Sequence, residues 1–322
     1  MYFVNLLNKL RVGRPLTLEE EDNLLSHPLS FDAKTALRIY PFRAKVDAFN
    51  ESKLQTLTSA QRVYGCMDSY VWFEDKHPDL EDHFRRLIEG DTNSPFSFFS
   101  RDRHRYAEEV AIKEGMPVVL LRNLDFSAGL VNGSRGHVVG LESVKLADFS
   151  GQKFNKLDYI LAVGGAKTKH EEEEVIKLYH SIYQKDEIGS FARSSPQTHE
   201  GWPIVRFENG EERTIFAHCS ITELGSTKPY SLISRTQLPL IAGWAITIHK
   251  SQGMTIDKAV VDVDGAWEQA QVYVAMSRVK SLDGLLVSGL SAAQSMRADP
   301  TVTEFMRSFR SSEGQTGDTP GI

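Results

Sequence analysis

The sequence predicts an α/β protein in which a parallel sheet is interrupted by a β-rich segment. Residues 238–290 alternate between helical and strand-like patterns, and KAVVDVD has the continuous apolar centre of a strand buried on both faces. Between residues 115 and 224, short apolar runs are separated by Asn-Gly dipeptides that begin at Asn132 and Asn209. Such dipeptides tolerate the positive φ of a tight turn, so the first pattern indicates a βαβ unit and the second indicates antiparallel hairpins.

The first 60 residues are predicted to form helix, strand and helix. Thr17 followed by Glu20 fits a capping box for a helix that runs to Leu25. ALRIYPF predicts a short strand, and AKVDAFNESKL carries apolar residues along one helical face. Residues 61–114 are rich in His, Arg and aromatics, and they predict only a connecting segment of helical or irregular structure.

The β-rich segment is expected to cover residues 115–225. Its predicted strands are MPVVLL, GLVNGSRGHVVGLE, YILAVGG and PIVRFENGEERTIFAH, and HEEEEVIKLYHSIYQ interrupts them as a surface helix. Asn132 and Arg135, in the second of these runs, are interpreted as turn-forming and structural residues.

Residues 226–300 are predicted to hold the βαβ unit. LIAGWAITIHKSQ suits a helix that ends at Gly253, where a left-handed residue is needed. A strand follows, then a helix over EQAQVYVAMSRVKS with Arg278 in its C-terminal part, and LLVSGL predicts a further strand. Residues 301–322 are expected to be the end of a helix and a disordered tail.

Composition sets limits on the possible functions. The net charge of −6 provides no general attraction for nucleic acid, so any such binding requires a local basic patch. The longest apolar run, 238–248, is too short to cross a bilayer, and the N-terminus lacks the cationic region of a secretory signal; no membrane partner is expected. Cys66 and Cys219 are far apart, which argues against a disulfide scaffold or a zinc site, and no metal-ligand set is assigned.

A complete phosphate-binding enzyme is one possible interpretation. YILAVGGAKTKH could be a strand followed by a glycine turn, and AVVDVD could be a strand that ends in a magnesium-binding aspartate. A phosphate loop, however, has glycine directly before its lysine, whereas here Ala166 precedes Lys167 and Leu161 stands at the first glycine position. A β-turn with a surface lysine is the better interpretation of these residues.

Several stretches resemble one family in the order in which they occur. TIHKSQGMTIDKAVVDVD followed by QVYVAMSRVKSLDGLLVSGL closely resembles motifs V and VI of superfamily 1B DNA helicases of the petite integration frequency (Pif) and RecD type. IYPFRAKVDAFNESKL resembles motif IV, and GMPVVLLRNLDFSAGLVNGSRGHVVG with PIVRFENGEE resembles the inserted SH3-like subdomain. The resemblance implies a second RecA-like lobe over residues 1–60 and 226–300, with a small β-barrel inserted at 115–225.

The resemblance also implies what this lobe works with. The family's Walker A loop, Walker B acid pair and motif III are not recognisable here, so the first ATPase lobe is expected to be missing, and the chain alone is expected to be inactive as an ATPase. ATP is the expected cofactor, with Mg²⁺ held by ligands on that first lobe. Single-stranded or forked duplex DNA and the missing lobe are the expected partners, in the nucleus or mitochondrion of a cell, with 5′-to-3′ movement.

Site residues follow from the matched motifs. Arg278 is the catalytic candidate, because a permanently charged, forked guanidinium suits a γ-phosphate that gains charge in the transition state. Hydroxyl, imidazole and ammonium groups contact phosphates without reading bases, which suits a motor that moves along any sequence. The DNA candidates are Thr247, His249, Lys250 and Ser251. The cofactor-binding candidates are Gln252, Gly253, Glu268 and Arg43.

Plainer interpretations stay open for each of these residues. Arg278 could be a surface arginine in a salt bridge, Glu268 an exposed residue at a helix N-terminus, and Lys250 a solvated side chain. For the whole chain, the alternatives are a non-catalytic module that binds single-stranded nucleic acid and, more weakly, an independent P-loop NTPase.

Overall fold

The computed structural model describes residues 2–89, 104–143, 152–194, 201–266, 270–290, 300–301 and 304–305. The chain divides into two compact units. The first unit comprises Met1–Thr56, Leu130–Ser134 and Ala242–Ile322, and the second comprises Leu57–Gly129 and Arg135–Ile241.

The helices and strands are numbered along the chain. The α-helices of the described residues are α1 (Tyr2–Arg11), α2 (Leu18–Ser26), α3 (Arg43–Leu54), α4 (Glu81–Ile88), α5 (Lys156–Gly165), α6 (Lys169–Ser194), α7 (Ile248–Ser251) and α8 (Gln271–Met276). The strands are β1 (Leu37–Tyr40), β2 (Arg62–Gly65), β3 (Met67–Val71), β4 (Glu109–Ile112), β5 (Pro117–Leu120), β6 (Arg135–Glu142), β7 (Trp202–Phe207), β8 (Glu212–Thr214), β9 (His218–Leu224), β10 (Ser231–Gln237), β11 (Leu240–Ala242), β12 (Ala245–Thr247), β13 (Ala259–Asp262) and β14 (Leu285–Ser288).

The first unit is built on a parallel sheet with the strand order β12-β1-β13-β14. In register, Ile39 of β1 lies between Ile246 and Val261, and Val261 pairs with Val287. These apolar side chains are buried, as expected for parallel strands that are covered on both faces. The predicted βαβ unit is confirmed, because β13 and β14 are parallel neighbours joined through α8.

The N-terminal part of the first unit follows its local sequence signals. Thr17 caps α2 through a complete capping box: its Oγ1 accepts from the Glu20 amide at 3.2 Å, and the Glu20 carboxylate accepts from the Thr17 amide at 2.9 Å. Glu20 also accepts from Lys9 Nζ at 2.6 Å, which ties α2 to α1. The predicted strand and helix after it are β1 and α3, and α3 packs against β1 and β12.

The predicted helix over LIAGWAITIHKSQ is wrong. Most of this run is extended, as β11 and β12, and only Ile248–Ser251 is helical. The Asn50 side chain explains the difference, since its Nδ2 donates to the Ala245 carbonyl and its Oδ1 accepts from the Ala245 amide, both at 2.9 Å. These two bonds satisfy backbone groups on the outer side of the edge strand β12, which local periodicity does not reveal. Helix α8 is also shorter than predicted and ends before Arg278.

Among its described residues, the second unit contains three sheets, with strand orders β3-β10-β9, β2-β4 and β11-β5-β6-β7-β8. The pairs β3-β10, β10-β9, β2-β4, β5-β6, β6-β7 and β7-β8 are antiparallel. Residues 61–114 were predicted to be helical or irregular, but the described part of this range contains the strands β2, β3 and β4 besides α4. The Asn-Gly turn at Asn209 is confirmed between β7 and β8, with Gly210 at φ +90°. At Asn132 the predicted positive φ is also present, since Gly133 has φ +95°, but β6 begins only at Arg135, so the first part of the predicted run 129–142 is not a strand. An SH3-like identity for 115–225 stays a prediction.

The predicted strand over YILAVGG is helix α5. Asn155 caps it, since its Oδ1 accepts from the amides of Leu157 at 2.8 Å and Asp158 at 3.2 Å. Tyr159 and Val163, four residues apart, are buried in one cluster with Ile176 of α6. The β-branched and aromatic residues of this run favour a strand locally, and packing against α6 overrides that preference. The predicted helix over HEEEEV is α6, which is longer than predicted.

An ion pair joins a buried arginine of the second unit to a carboxylate that solvent still reaches, that of Asp68. Arg235 of β10 is almost fully buried, and its Nε and Nη2 donate to the two carboxylate oxygens of Asp68 at 2.7 Å each. Its Nη1 donates to the Tyr106 carbonyl at 3.1 Å.

Both cysteines are free thiols, and burial raises the pKa of Cys66 to about 12 and that of Cys219 to about 11.

Candidate functional site

Helix α7 stands at the carboxyl edge of the parallel sheet. Thr247 is the last residue of β12 and also the N-cap of α7, and its Oγ1 accepts from the Lys250 amide at 3.2 Å. The His249 side chain is exposed and that of Lys250 is partly exposed. Because α7 packs against β1, β12 and α8, these two basic side chains are presented on a fixed support.

Ser251 was predicted to contact DNA, and the structure contradicts this. Its side chain is fully buried, and its Oγ donates to the Ile248 carbonyl at 2.6 Å. A hydroxyl in this position satisfies a backbone acceptor of its own short helix and cannot reach a phosphate. Ser251 is therefore a structural residue.

Gln252 and Gly253 end α7 as predicted. The Gln252 amide donates to the His249 carbonyl at 3.2 Å, and its side chain is exposed. Gly253 has φ +75°, a left-handed conformation that favours glycine, and it is also exposed. The exposed backbone at Gly253 leaves room for close approach by a ligand.

The loop after Gly253 is tied to the segment that carries Arg278. The Ile256 amide donates to the Arg278 carbonyl at 2.9 Å, and the Lys280 amide donates to the Ile256 carbonyl at 3.1 Å. A parallel bridge also joins Ile256 to Val279. Since Ile256 precedes β13 and Arg278 precedes β14, this connection lies towards the amino ends of the two strands.

The Arg278 guanidinium folds back onto the end of α8. Its Nε donates to the Val274 carbonyl at 3.0 Å, and its Nη2 donates to Ser277 Oγ at 2.9 Å. Within the described ranges, no carboxylate lies at ion-pair distance from Arg278, so these residues do not support the salt-bridge interpretation. The side chain is partly exposed, so its charge is available to an anion that draws it away from the helix end.

Arg43 lies apart from Arg278. It is the first residue of α3, directly after β1, and its Nε is 3.3 Å from Asp47 Oδ2. Tyr40, at the end of β1, pairs in register with Thr247. Arg43 therefore stands at the same edge of the sheet as α7. It was predicted as a cofactor-binding residue, whereas this position places it beside the DNA candidates. Glu268 lies outside the described residues.

Lys45, Asp262 and Asp264 lie close together at the carboxyl edge of the sheet, and this cluster was not predicted from the sequence. Lys45 Nζ is 3.9 Å from Asp262 Oδ2 and 3.5 Å from Asp264 Oδ2. The signal for it was present, because the strand AVVDVD ends in two aspartates at the edge where ligands bind parallel sheets. Pairing with Lys45 neutralises part of this acidic charge and weakens the interpretation of Asp262 as a magnesium ligand.

The P-loop interpretation of GGAKT is contradicted by the fold. Gly164 and Gly165 close helix α5, and Lys167 precedes α6. A phosphate loop instead follows a β-strand and directs its amides inward from that strand.

Across the described part of the chain, no group of three or more His, Cys, Asp or Glu side chains could hold a metal ion, and no helix is long and apolar enough to span a membrane.

Comparison with known proteins gives a consistent set of relatives. Residues 107–141 match the family model of the 2B domain of DNA helicase Pif1. The chain is 28% identical over 313 residues to the ATP-dependent DNA helicase PIF1 of Emericella nidulans, and 28% identical over 321 residues to that of Homo sapiens. These alignments cover 95% and 99% of this chain but only 38% and 37% of the relatives, so the chain spans well under half of their length.

Solved structures show the same fold. A Bacteroides Pif1 in complex with ADP-AlF4 matches with a TM-score of 0.57 at 21% identity, covering 96% of this chain and 54% of that one. A Pif1 helicase from Candida albicans matches with a TM-score of 0.53 at 24% identity, covering 95% of this chain and 57% of that one. These matches confirm the predicted α/β fold with a RecA-like lobe.

Proposed function

Since the chain is related to the Pif1-type DNA helicases, we propose that it forms the second motor lobe of an ATP-dependent DNA helicase. In this role it binds single-stranded or forked DNA and takes part in translocation and unwinding, with 5′-to-3′ polarity and a nuclear or mitochondrial location by family resemblance. The observation that carries the assignment is the separation of two groups of side chains. Basic residues of α7 lie at the carboxyl edge of the sheet, and Arg278 lies before β14 without a carboxylate partner among the described residues.

The second group fits the phosphates of ATP. Gln252 is exposed, Gly253 offers open backbone, and among the described residues the Arg278 guanidinium is held by a carbonyl and a hydroxyl. ATP supplies the phosphoryl group that is transferred to water. Arg278 donates its forked N–H groups to the charge that accumulates on that group, and Gln252 and Gly253 orient the nucleotide. The magnesium ligands are assigned to the other lobe by family resemblance, and on this chain Asp262 Oδ2 lies 3.9 Å from Lys45 Nζ.

The first group fits a DNA backbone. His249 and Lys250 project from α7, and Arg43 stands at the same edge of the sheet. Thr247 serves first as the cap of α7 and adds a hydroxyl beside them. With a net charge of −6 for the whole chain, a local cluster of this kind is what phosphate binding requires.

Hydrolysis by this lobe requires a partner lobe with a Walker A loop, which is not recognisable in this sequence. We expect the purified chain to release no phosphate from ATP, with or without single-stranded DNA. Phosphate release should appear only when the chain is joined to such a lobe. The assignment would be overturned if the chain alone hydrolysed ATP in a DNA-stimulated manner and Lys167→Ala abolished this hydrolysis. DNA binding without hydrolysis in the joined protein would favour the non-catalytic binding module instead.

A further inference from the structure

Leu130–Ser134 belongs to the same compact unit as α7, although it lies far from it in sequence. A turn organises this segment, in which the Ser134 amide donates to the Val131 carbonyl and the Val131 amide donates to Ser134 Oγ, both at 2.9 Å. Leu130 is fully buried and Gly133 is also buried. The segment is therefore a fixed part of the unit that carries the candidate site.

Gly133 lets this segment close onto the residue that follows Gly253. A Cβ at Gly133 would lie 3.0 Å from Met254 Cβ, 3.2 Å from its Cγ and 3.4 Å from its Cα. Gly133 also has φ +95°, which disfavours any other residue. The Asn132 Nδ2 would lie 3.8 Å from a Cβ at Gly253, so the turn reaches both residues at the end of α7.

We propose that Leu130–Ser134 is a positioning element for the α7–Gly253 segment, with Gly133 as its essential residue. Helix α7 has only four residues, and a helix of that length does not hold its shape without tertiary support. The packing of Gly133 on the buried Met254 adds to the support that β1, β12 and α8 give α7, and it acts on the far side of Gly253. It holds the turn at Gln252 and Gly253, and through it the direction in which Lys250 projects. The consequence for DNA binding rests on the function proposed above.

The full chain offers a matched control. Gly210 has φ +90°, close to that of Gly133, but nothing lies within 4 Å of a Cβ placed there. Gly133→Ala and Gly210→Ala therefore impose similar backbone strain, and only the first also presses on Met254. Met254→Ala is a second variant in case Gly133→Ala does not fold, because it removes the Met254 side chain beyond Cβ, next to Gly133, without changing a backbone conformation.

Hydrogen exchange of the backbone amides tests the positioning itself. The amides of Gln252 and Met254, which donate to the His249 and Ser251 carbonyls, should exchange about tenfold faster in Gly133→Ala than in Gly210→Ala. Met254→Ala should also raise the exchange rates of these amides, by a smaller factor. Equal exchange in Gly133→Ala and Gly210→Ala would overturn the inference, whether or not the chain binds DNA.

Binding of a labelled oligo-dT strand tests the consequence. Affinity should fall by roughly threefold to tenfold in Gly133→Ala. The total loss of affinity in the double variant with Lys250→Ala should be smaller than the product of the two single losses. Independent, multiplying effects would contradict positioning of Lys250 by this segment. If the wild-type chain does not bind oligo-dT although the exchange result holds, the proposed function fails and the positioning inference stands.

Discussion

The Ile256 amide donates a hydrogen bond of 2.9 Å to the carbonyl of Arg278. This bond joins the chain that leaves α7 to the chain that leaves α8, and the Ile256–Val279 bridge reinforces it. Lys250 and Arg278 lie towards opposite edges of the sheet, yet only a short loop and one backbone pairing separate them. In the function proposed above, this pairing would couple Arg278 to the DNA candidates of α7.

Lys250→Ala should weaken binding to single-stranded DNA to a similar degree for every sequence. The lost contact is to a phosphate, so the slope of log affinity against log salt should become shallower by about 0.7. Fluorescence anisotropy with several oligonucleotides over a salt series measures both effects. Lys34→Ala, which removes an exposed lysine elsewhere in the same unit, should leave the slope unchanged. A loss restricted to one base sequence or to duplex DNA would contradict phosphate tracking by α7.

Asp68→Ala should strongly destabilise the second unit. It leaves the buried guanidinium of Arg235 without its bidentate partner, and an uncompensated buried charge costs about 3–5 kcal/mol. Urea unfolding measures the loss. As a control, Glu212→Ala removes the partner of Arg206 in an exposed pair and should cost less than about 1 kcal/mol. Similar losses in both variants would show that the Arg235 pair is not a principal support of this unit.

His218 should make the stability of the chain depend on pH. Burial, together with the nearby charges of Arg122 and Arg105, lowers the pKa of His218 to about 4 from an ordinary 6.5. The hydroxyl of Tyr106 lies 2.8 Å from its Nδ1, an arrangement that suits the neutral ring as acceptor. The unfolded chain takes up the proton first as pH falls, so this contribution is complete above pH 6.5 and is lost towards pH 4.

The size of the His218 effect is roughly 3 kcal/mol, from the conversion of a pKa shift to free energy. Unfolding free energies measured from pH 7 to 4 should therefore fall more steeply for the wild type than for His218→Asn, which keeps a hydrogen-bond acceptor but does not titrate. The comparison cancels the contributions of His83, His137 and His180, whose pKa values burial also lowers. Parallel curves for the two proteins would contradict the buried, neutral state of His218.

Local signals in the sequence were sufficient where the structure is locally determined. The capping box at Thr17, the strand around Ile39 and the left-handed turn at Gly253 each depend on neighbouring residues, and each was predicted. The run around Ala245 was not, because the bonds that hold it extended come from Asn50, almost two hundred residues earlier. Helix α5 was missed for a similar reason, since burial against Ile176 determines its conformation.

The candidate site was predictable in part. Residue types and their order pointed to Lys250, Gly253 and Arg278, and the structure leaves all three accessible. Burial removed Ser251, and strand register moved Arg43 to the α7 edge. Neither outcome can be read from spacing, because a hydroxyl bonded to its own helix and one directed to solvent have the same sequence pattern.

The central claim is that this lobe supplies Arg278 to an ATP site shared with a Walker A lobe. Arg278→Ala also removes two bonds at the end of α8, so thermal unfolding should first establish that the variant is folded. Lys280→Ala is the matched control, because it deletes an exposed cation two residues away that pairs with Asp257. Neither variant should change the binding of single-stranded DNA in the absence of nucleotide.

Single-turnover ATP hydrolysis in the joined two-lobe protein is the most direct measurement. Arg278→Ala should reduce the rate by on the order of 10³ to 10⁵ while nucleotide affinity changes far less, because the charge it meets develops during cleavage. Arg278→Lys should restore little of the rate, since an ammonium lacks the planar fork, and Lys280→Ala should hydrolyse ATP normally. A near-normal rate in folded Arg278→Ala would remove this residue from the active site and contradict the account.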